Sequence, residues 1–88
     1  MIIDAQIELM KIPGVGKSIS NDLTNIGIYS INDLKGENPK YLYEKSNKVA
    51  DVVQDRCLLY VFRCAVYFSE TEDKDRDQEK LKWWNWKD

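Results

Sequence analysis

The stretch Ile12-Pro13-Gly14-Val15-Gly16-Lys17 (IPGVGK) decides how the first third of the chain folds. Proline followed by glycine favours a tight turn, and the apolar residues on both sides recur at helical spacing. Pro13 cannot continue the helix before it, and the next helix is predicted to begin near Gly16 or Lys17. The sequence therefore predicts two helices joined by a short turn that contains two glycines.

The start of the second helix is a predicted anion site. Its first amides have no partner within the helix, and the positive end of the helix dipole favours negative charge. An aliphatic residue, Pro-Gly, another aliphatic residue and Gly are typical of the hairpin in a helix-hairpin-helix module, which contacts phosphates and not base edges. Val15 is expected to pack inward between the glycines. The predicted DNA-backbone contacts are Lys11, Gly14, Val15, Gly16 and Lys17.

Two other interpretations of the turn stay open. It could be a plain connection with Lys17 in solvent, or part of a surface that contacts protein. It is not a nucleotide phosphate loop, because the spacing GxxxxGK[ST] is absent. One hairpin with two lysines neutralises about two or three phosphates, so binding should be weak at cellular salt. A second hairpin would have to come from a dimer partner, a degenerate helix pair later in the chain, or another protein.

Helix signals recur further along the chain, and strand signals are weak. Asn38-Pro39 predicts an N-cap followed by proline at the first helical position, with a helix from about 39 to 47. Asp51 and Gln54 predict the cap of a longer helix over about 52–69, whose residues are apolar on nearly every side. We therefore predict an all-α fold, a compact domain of four to five helices.

Charge divides the chain into three predicted segments. Acidic and basic residues balance over residues 1–69, the helical domain, whereas acids predominate over 70–80, an expected acidic linker. A Trp-rich tail, 81–88, follows it and is expected to pack on the helical core. The net charge of −2 argues against a general basic coat for nucleic acid, so any phosphate site must be local.

The tail contains Trp83, Trp84 and Trp86, and three exposed indoles so close together would favour aggregation. They could fold back over the core as an apolar clamp, stack unpaired bases, or insert into a partner chain. The clamp is the interpretation that the small size of the domain favours.

A polar stripe runs along the longer helix at helical spacing: Arg56, Tyr60, Arg63 and Tyr67. Its arginines, Arg56 and Arg63, are candidate secondary contacts to phosphate, and its rings could stack bases. The alternative is that the arginines pair with nearby acids while their aliphatic stems cover the core.

Metal and catalytic chemistry are not predicted. Cys57 and Cys64 lie about 10 Å apart along one helix, which is too far for a disulfide, and two thiols alone make a poor zinc site. The chain has no histidine and no nucleophile beside a base. We expect no enzyme activity, no metal and no cofactor. A metal-dependent nuclease is a third and less favoured class. Without a signal peptide or a membrane-length apolar run, we expect a reduced cytoplasmic protein without membrane contact.

The chain resembles the bacterial pathogenicity-locus family of small helix-hairpin-helix proteins. The stretches that carry the resemblance are IPGVGKSISND (12–22), Gly27-Ile28, Asp33-Leu34, Pro39 to Tyr43, DRCLLYVFRCAVY (55–67) and LKWWNWKD (81–88). A more distant similarity is to the C-terminal domain of the competence regulator TfoX. The resemblance implies an all-helical bundle in the bacterial cytosol, and no settled biochemical activity comes with it. The general module implies phosphate contact at Gly14, Gly16 and Lys17.

The sequence thus predicts a non-catalytic protein that binds DNA backbone weakly and without sequence specificity, as an accessory to repair, recombination or regulation. A protein partner or a homodimer could supply the rest of the binding surface. The alternative is a protein-interaction adaptor that uses the same fold as a scaffold and makes no direct contact with DNA.

Overall fold

Helices make up all of the regular structure in the computed structural model, which describes residues 3–87. The outer limits of the predicted segments, residues 1 and 88, lie outside this range. The α-helices are α1 (Asp4–Leu9), α2 (Lys17–Asn25), α3 (Pro39–Ala50) and α4 (Cys57–Glu70). Short 3₁₀ turns cover Asn32–Leu34, Asp73–Asp75, Gln78–Leu81 and Trp83–Trp86. The predicted all-α class is confirmed.

The core is built around α4, which is apolar on nearly all sides. Phe62, in the middle of α4, is completely buried, and so are Leu9 from α1 and Leu23 from α2. The remaining helix, α3, packs directly along α4 and contributes Leu42. Because every α-helix contributes apolar side chains to one cluster, the stability of each helix depends on the others.

The start of α3 is determined by local chemistry, as predicted. The Asn38 side-chain oxygen Oδ1 accepts hydrogen bonds from the amides of Lys40 and Tyr41, and Pro39 occupies the first helical position. The helix runs to Ala50, three residues beyond the predicted end at 47. It ends at Asp51, which adopts the left-handed conformation with φ of 58°.

The predicted start of α4 at residue 52 is wrong, because the chain between α3 and α4 is tied back to α3. The Gln54 amide donates to Asn47 Oδ1 at 2.9 Å, and its side-chain Nε2 donates to Ser46 Oγ at 2.9 Å. The Tyr43 hydroxyl donates to the Gln54 carbonyl. Asp51 and Gln54 therefore end one helix and fix a loop, and they do not cap the next helix.

The chain after α4 lies against the helices and is not extended. Arg76 places its guanidinium 3.6 Å from the ring centroid of Phe68 and donates from Nε and Nη2 to the Phe68 carbonyl. Further on, the Trp83–Trp86 turn packs on α4, and the Trp83 ring joins the edge of the apolar core. Within the described residues, no helix combines the length and the apolar character needed to cross a membrane.

Candidate nucleic-acid interface

The turn between α1 and α2 is closed by backbone hydrogen bonds. The Ile12 amide donates to the Leu9 carbonyl at 3.1 Å, and the Val15 amide donates to the Ile12 carbonyl at 3.0 Å. Ser20 is completely buried where the two helices cross, and its hydroxyl accepts a 3.4 Å hydrogen bond from Gln6 Nε2. A small side chain at this crossing lets α1 and α2 approach closely, which fixes the direction in which α2 presents its first turn.

Val15 does not offer a group to a phosphate. Its side chain is buried in the core, as expected for the residue between the glycines, and its amide is already bonded to Ile12. A phosphate needs a donor, and this residue has none to give. Val15 therefore stabilises the turn, and its predicted place among the DNA contacts is not supported by the geometry.

Gly14 packs against the side chain of Trp83. Its φ of +87° lies in the left-handed region, and a Cβ built there would stand 3.0 Å from Cδ1 of Trp83. The space beside Gly14 where a Cβ would stand is therefore occupied by the indole of the tail. The sequence could not show this contact, although the three neighbouring tryptophans indicated that something would cover the core.

Gly16 is different, because its surroundings do not require a glycine. Its φ of −99° and ψ of −166° are extended values that any residue adopts, and a Cβ there would meet no atom within 4 Å. Gly16 is the N-cap of α2 and makes no side-chain cap. The N-cap of α2 therefore provides no side chain to bond the first amides of the helix, and the space beside Gly16 is open.

Lys17 and Lys11, the two predicted basic contacts, are both exposed. The first turn of α2 contains no acidic residue that would neutralise Lys17. Beside it lies an open hollow of about 500 Å³, lined by Gln6, Lys17, Ser18 and Asn21. The residues that line this hollow include Ser18 and Lys17, whose hydroxyl and ammonium groups are donors of the kind that bind phosphate.

The other side of the turn is acidic. A cleft of about 330 Å³ between the turn and the start of α4 is lined in part by Gly14, Asp22, Asp55 and Trp83. Partial burial raises the pKa of the Asp22 carboxyl, and the amide of Cys57, bonded to the Asp55 carboxylate, lowers the pKa of Asp55. These carboxylates would repel phosphate, so this cleft disfavours an anion, whereas the side of Gly16 and Lys17 carries no such charge in the first turn of α2.

The tail covers part of the stripe on α4. Arg63 donates from Nη1 to the Trp86 carbonyl at 2.7 Å and lies 5.6 Å from the ring centroid of Tyr60. Tyr67 packs against the Trp86 ring, with centroids 5.7 Å apart. Arg63 and the Tyr67 ring are thus engaged within the protein. Arg56 is the N-cap of α4 and is exposed to solvent. The tail thus contacts both the turn, through Trp83 at Gly14, and the stripe, through Trp86 at Arg63 and Tyr67.

Both cysteines are free thiols. Burial raises the pKa of Cys64 from its ordinary 9.0 to about 11. Hydrogen bonding to the Asp55 carboxylate raises the pKa of Cys57, which is half-buried. No three Cys, Asp or Glu side chains among residues 3–87 are grouped as a metal site.

The two thiols should differ in reactivity. We expect iodoacetamide at pH 8 to label Cys57 slowly and Cys64 not at all in the folded protein, and to label both in urea. Mass spectrometry measures the labelling of each thiol. Cys57→Ser is the control, and we expect it to take up no label while it is folded. Because the folded pKa of Cys64 is raised, its protonated thiol supports the fold below pH 9. Stability should fall as the pH rises from 9 towards 11. Rapid labelling of native Cys57→Ser would contradict the buried position of Cys64.

The fold and the turn define a small all-helical protein in which the tail packs against Gly14 on one side of the α1–α2 turn, while Lys17 is exposed on the other side. The chain matches the family model Cdd1, described as "Pathogenicity locus", over residues 3–88, and it belongs to that family. Neither the curated proteins nor the solved structures provide a significant match.

Proposed function

We propose that the protein binds the sugar-phosphate backbone of DNA through a helix-hairpin-helix module made of α1, the turn and α2. The observation that carries the proposal is the presence of a glycine, Gly16, at the N-cap of α2. Neither its backbone conformation nor its surroundings require a glycine, and Ser, Thr, Asp or Asn at an N-cap would bond the free amides. Glycine at this position leaves those amides open to an external anion.

The charges around the turn support the same proposal. Lys17 and Lys11 are exposed on the chain that leads into α2, while Asp22 lies on the opposite side, in the cleft with Trp83. A phosphate that approaches Gly16 therefore meets donors and avoids the carboxylates. Contacts of this kind do not distinguish bases, so the binding has no sequence preference.

The proposed role is that of a non-catalytic accessory to DNA repair, recombination or regulation in the bacterial cytoplasm. We also propose, as part of this function, that the chain is distantly similar to the C-terminal domain of the competence regulator TfoX. With about two or three phosphates neutralised, the logarithm of the binding constant should fall with the logarithm of salt at a slope of about −2 to −3. Between 50 and 200 mM salt, that slope weakens binding about 15- to 60-fold.

Two substitutions in the turn test the proposal because they should weaken binding without weakening the fold. Gly16→Asp places a carboxylate over the open amides, and Lys17→Glu removes a cation from the positive end of α2. Each puts negative charge where the helix dipole favours it, so thermal stability should be unchanged or higher. Each should lower the affinity for a short duplex about 10-fold at low salt, and Lys17→Glu should reduce the salt slope by about 1.

Fluorescence anisotropy at several salt concentrations measures both quantities. Lys74→Glu is the matched control: it makes the same change in net charge as Lys17→Glu, but at an exposed residue of the 70–80 segment. We expect this control to bind nearly as well as the unchanged protein. If the turn variants and the control bind equally, the turn does not contact DNA, and the adaptor alternative becomes the better account.

A further inference from the structure

The buried hydroxyl of Ser20 makes a hydrogen bond to the first turn of α2. Ser20 is completely buried, and its Oγ donates to the Lys17 carbonyl at 2.8 Å. The Ser20 amide also donates to the Gly16 carbonyl at 2.9 Å. One buried residue therefore bonds to the carbonyls of the two peptides with which α2 begins.

These two peptides carry the first amides of α2, the donors to which the proposed function assigns a phosphate. A peptide unit is planar and trans, so its carbonyl and its N–H point in opposite directions. The Gly16 carbonyl shares its peptide with the Lys17 amide, and the Lys17 carbonyl shares its peptide with the Ser18 amide. A hydrogen bond that fixes one of these carbonyls therefore also fixes the direction of the amide in the same plane.

The hydroxyl bond adds something that the helix itself does not provide. An α-helix bonds the amide of each residue to the carbonyl four residues earlier, so the bond to Gly16 would form with any residue at position 20 except proline. The bond to Lys17 requires a side-chain donor. Serine commonly satisfies its hydroxyl on a carbonyl of its own helix, and here that carbonyl belongs to the peptide of the Ser18 amide.

Gln6, on α1, holds the Ser20 hydroxyl from the other side. Gln6 is only 6% exposed; its Nε2 donates to Ser20 Oγ at 3.4 Å, and its Oε1 accepts from the Ile3 amide at 3.2 Å. A hydroxyl has one proton to donate, and with Gln6 as a donor to its oxygen that proton goes to the Lys17 carbonyl. Because the bond from Gln6 is long, Ser20 makes the larger contribution. Each bond in such a chain polarises the next.

We propose that Ser20, supported by Gln6, is a positioning residue for the phosphate site. Its hydroxyl holds the Lys17–Ser18 peptide plane, so the Ser18 amide is already directed outward when a DNA phosphate arrives. This role rests on the proposed function of the turn and adds the residue that orients one of its donors. A donor that is oriented in advance loses little freedom on binding, which favours affinity.

Ser20→Ala removes the hydroxyl, and the chain offers a closely matched control in Ser69→Ala. Ser69 lies in α4 and is 5% exposed, and its hydroxyl donates to the carbonyl three residues earlier, that of Val66, at 2.7 Å. Both substitutions remove the same kind of hydrogen bond from a buried serine of a helix. Only Ser20→Ala removes it from a peptide of the α1–α2 turn.

Fluorescence anisotropy with a short duplex at low salt compares the two variants. We expect Ser20→Ala to bind about 3- to 10-fold more weakly than the unchanged protein, and Ser69→Ala to bind within about twofold of it. The salt slope of Ser20→Ala should equal that of the unchanged protein because no charge is removed, in contrast to Lys17→Glu. Equal affinities of the two serine variants would overturn the proposal.

A double variant separates positioning from stability. Ser20→Ala leaves the Gln6 side chain without its acceptor inside the protein, which lowers the Tm. Gln6→Met/Ser20→Ala removes both polar partners and keeps a side chain of similar length at position 6, so the Tm should return close to that of the unchanged protein. The affinity should stay about 3- to 10-fold lower, because the hydroxyl is still missing. An affinity that recovers together with the Tm, measured by circular dichroism, would show that the pair serves stability alone.

The amide resonance of Ser18 is the most direct readout. In NMR spectra of the isotope-labelled full chain, saturating duplex should shift this resonance in the unchanged protein and in Ser69→Ala, and should shift it clearly less in Ser20→Ala. Equal shifts in all of them, or none, would contradict the positioning role.

The positioning role and the proposed function can be told apart. If Gly16→Asp and Lys17→Glu weaken binding but Ser20→Ala does not, only the positioning role is wrong. If Gly16→Asp and Lys17→Glu bind as well as the control Lys74→Glu, the turn is not a DNA site and both proposals fail.

Discussion

Replacing Trp83 with alanine is expected to lower the stability of the domain by about 2–3 kcal/mol, and replacing Trp84 should lower it by less than about 1 kcal/mol. The two neighbours are chemically identical but differ in their contacts. Trp83 packs on the apolar core and against Gly14, whereas Trp84 is about half exposed and meets the edge of the Trp83 ring.

Thermal unfolding followed by circular dichroism measures this difference. In a domain of this size, 1 kcal/mol shifts the Tm by about 4–8 °C, so Trp83→Ala should melt about 10–20 °C lower than the unchanged protein. Tryptophan fluorescence provides a second readout. The most blue-shifted part of the emission should disappear with Trp83 and remain after Trp84→Ala. Equal losses of stability from the two substitutions would contradict the packing of Trp83 on the core.

Alanine at Gly14 should destabilise the protein by about 2 kcal/mol or more, while alanine at Gly16, the N-cap of α2, should cost about 1 kcal/mol or less. At Gly14 the backbone is left-handed, with φ of +87°, and the new methyl group would press on the Trp83 ring. At Gly16 the backbone is extended and the space is empty. Chemical denaturation of both variants measures the two free energies of unfolding.

The two parts of the cost at Gly14 can be separated. In Trp83→Ala the ring is gone, so adding Gly14→Ala should cost only the backbone strain of about 1–2 kcal/mol. The double variant should therefore be more stable than the sum of the single effects predicts. Strict additivity would mean that the indole does not restrict residue 14.

The sequence predicts those features that depend on near neighbours. Asn38 caps α3 with two amides only two and three residues away, so its side chain and Pro39 were enough to place the start of that helix. The apolar residues of α4 likewise indicated a central helix. The end of α3 and the start of α4 depend on Gln54, whose partners lie on α3. Apolar Val52 and Val53 continue a helical pattern that these distant bonds override.

In the candidate site, too, the features that depend on near neighbours were predicted and those that depend on distant residues were not. The proline, the glycines and Lys17 predicted the turn and the start of α2 at Lys17. The different surroundings of Gly14 and Gly16 could not be predicted, because Gly14 contacts Trp83, which lies far along the chain.

The contact between Trp83 and Gly14 also determines which parts of the protein can open together. It joins the first turn of the fold to its last, with most of the chain in the loop between them. A local fluctuation that lifts the tail from α4 also uncovers the back of the α1–α2 turn. These distant segments should therefore behave as one cooperative unit in local unfolding, with amide exchange in both set by the same opening free energy.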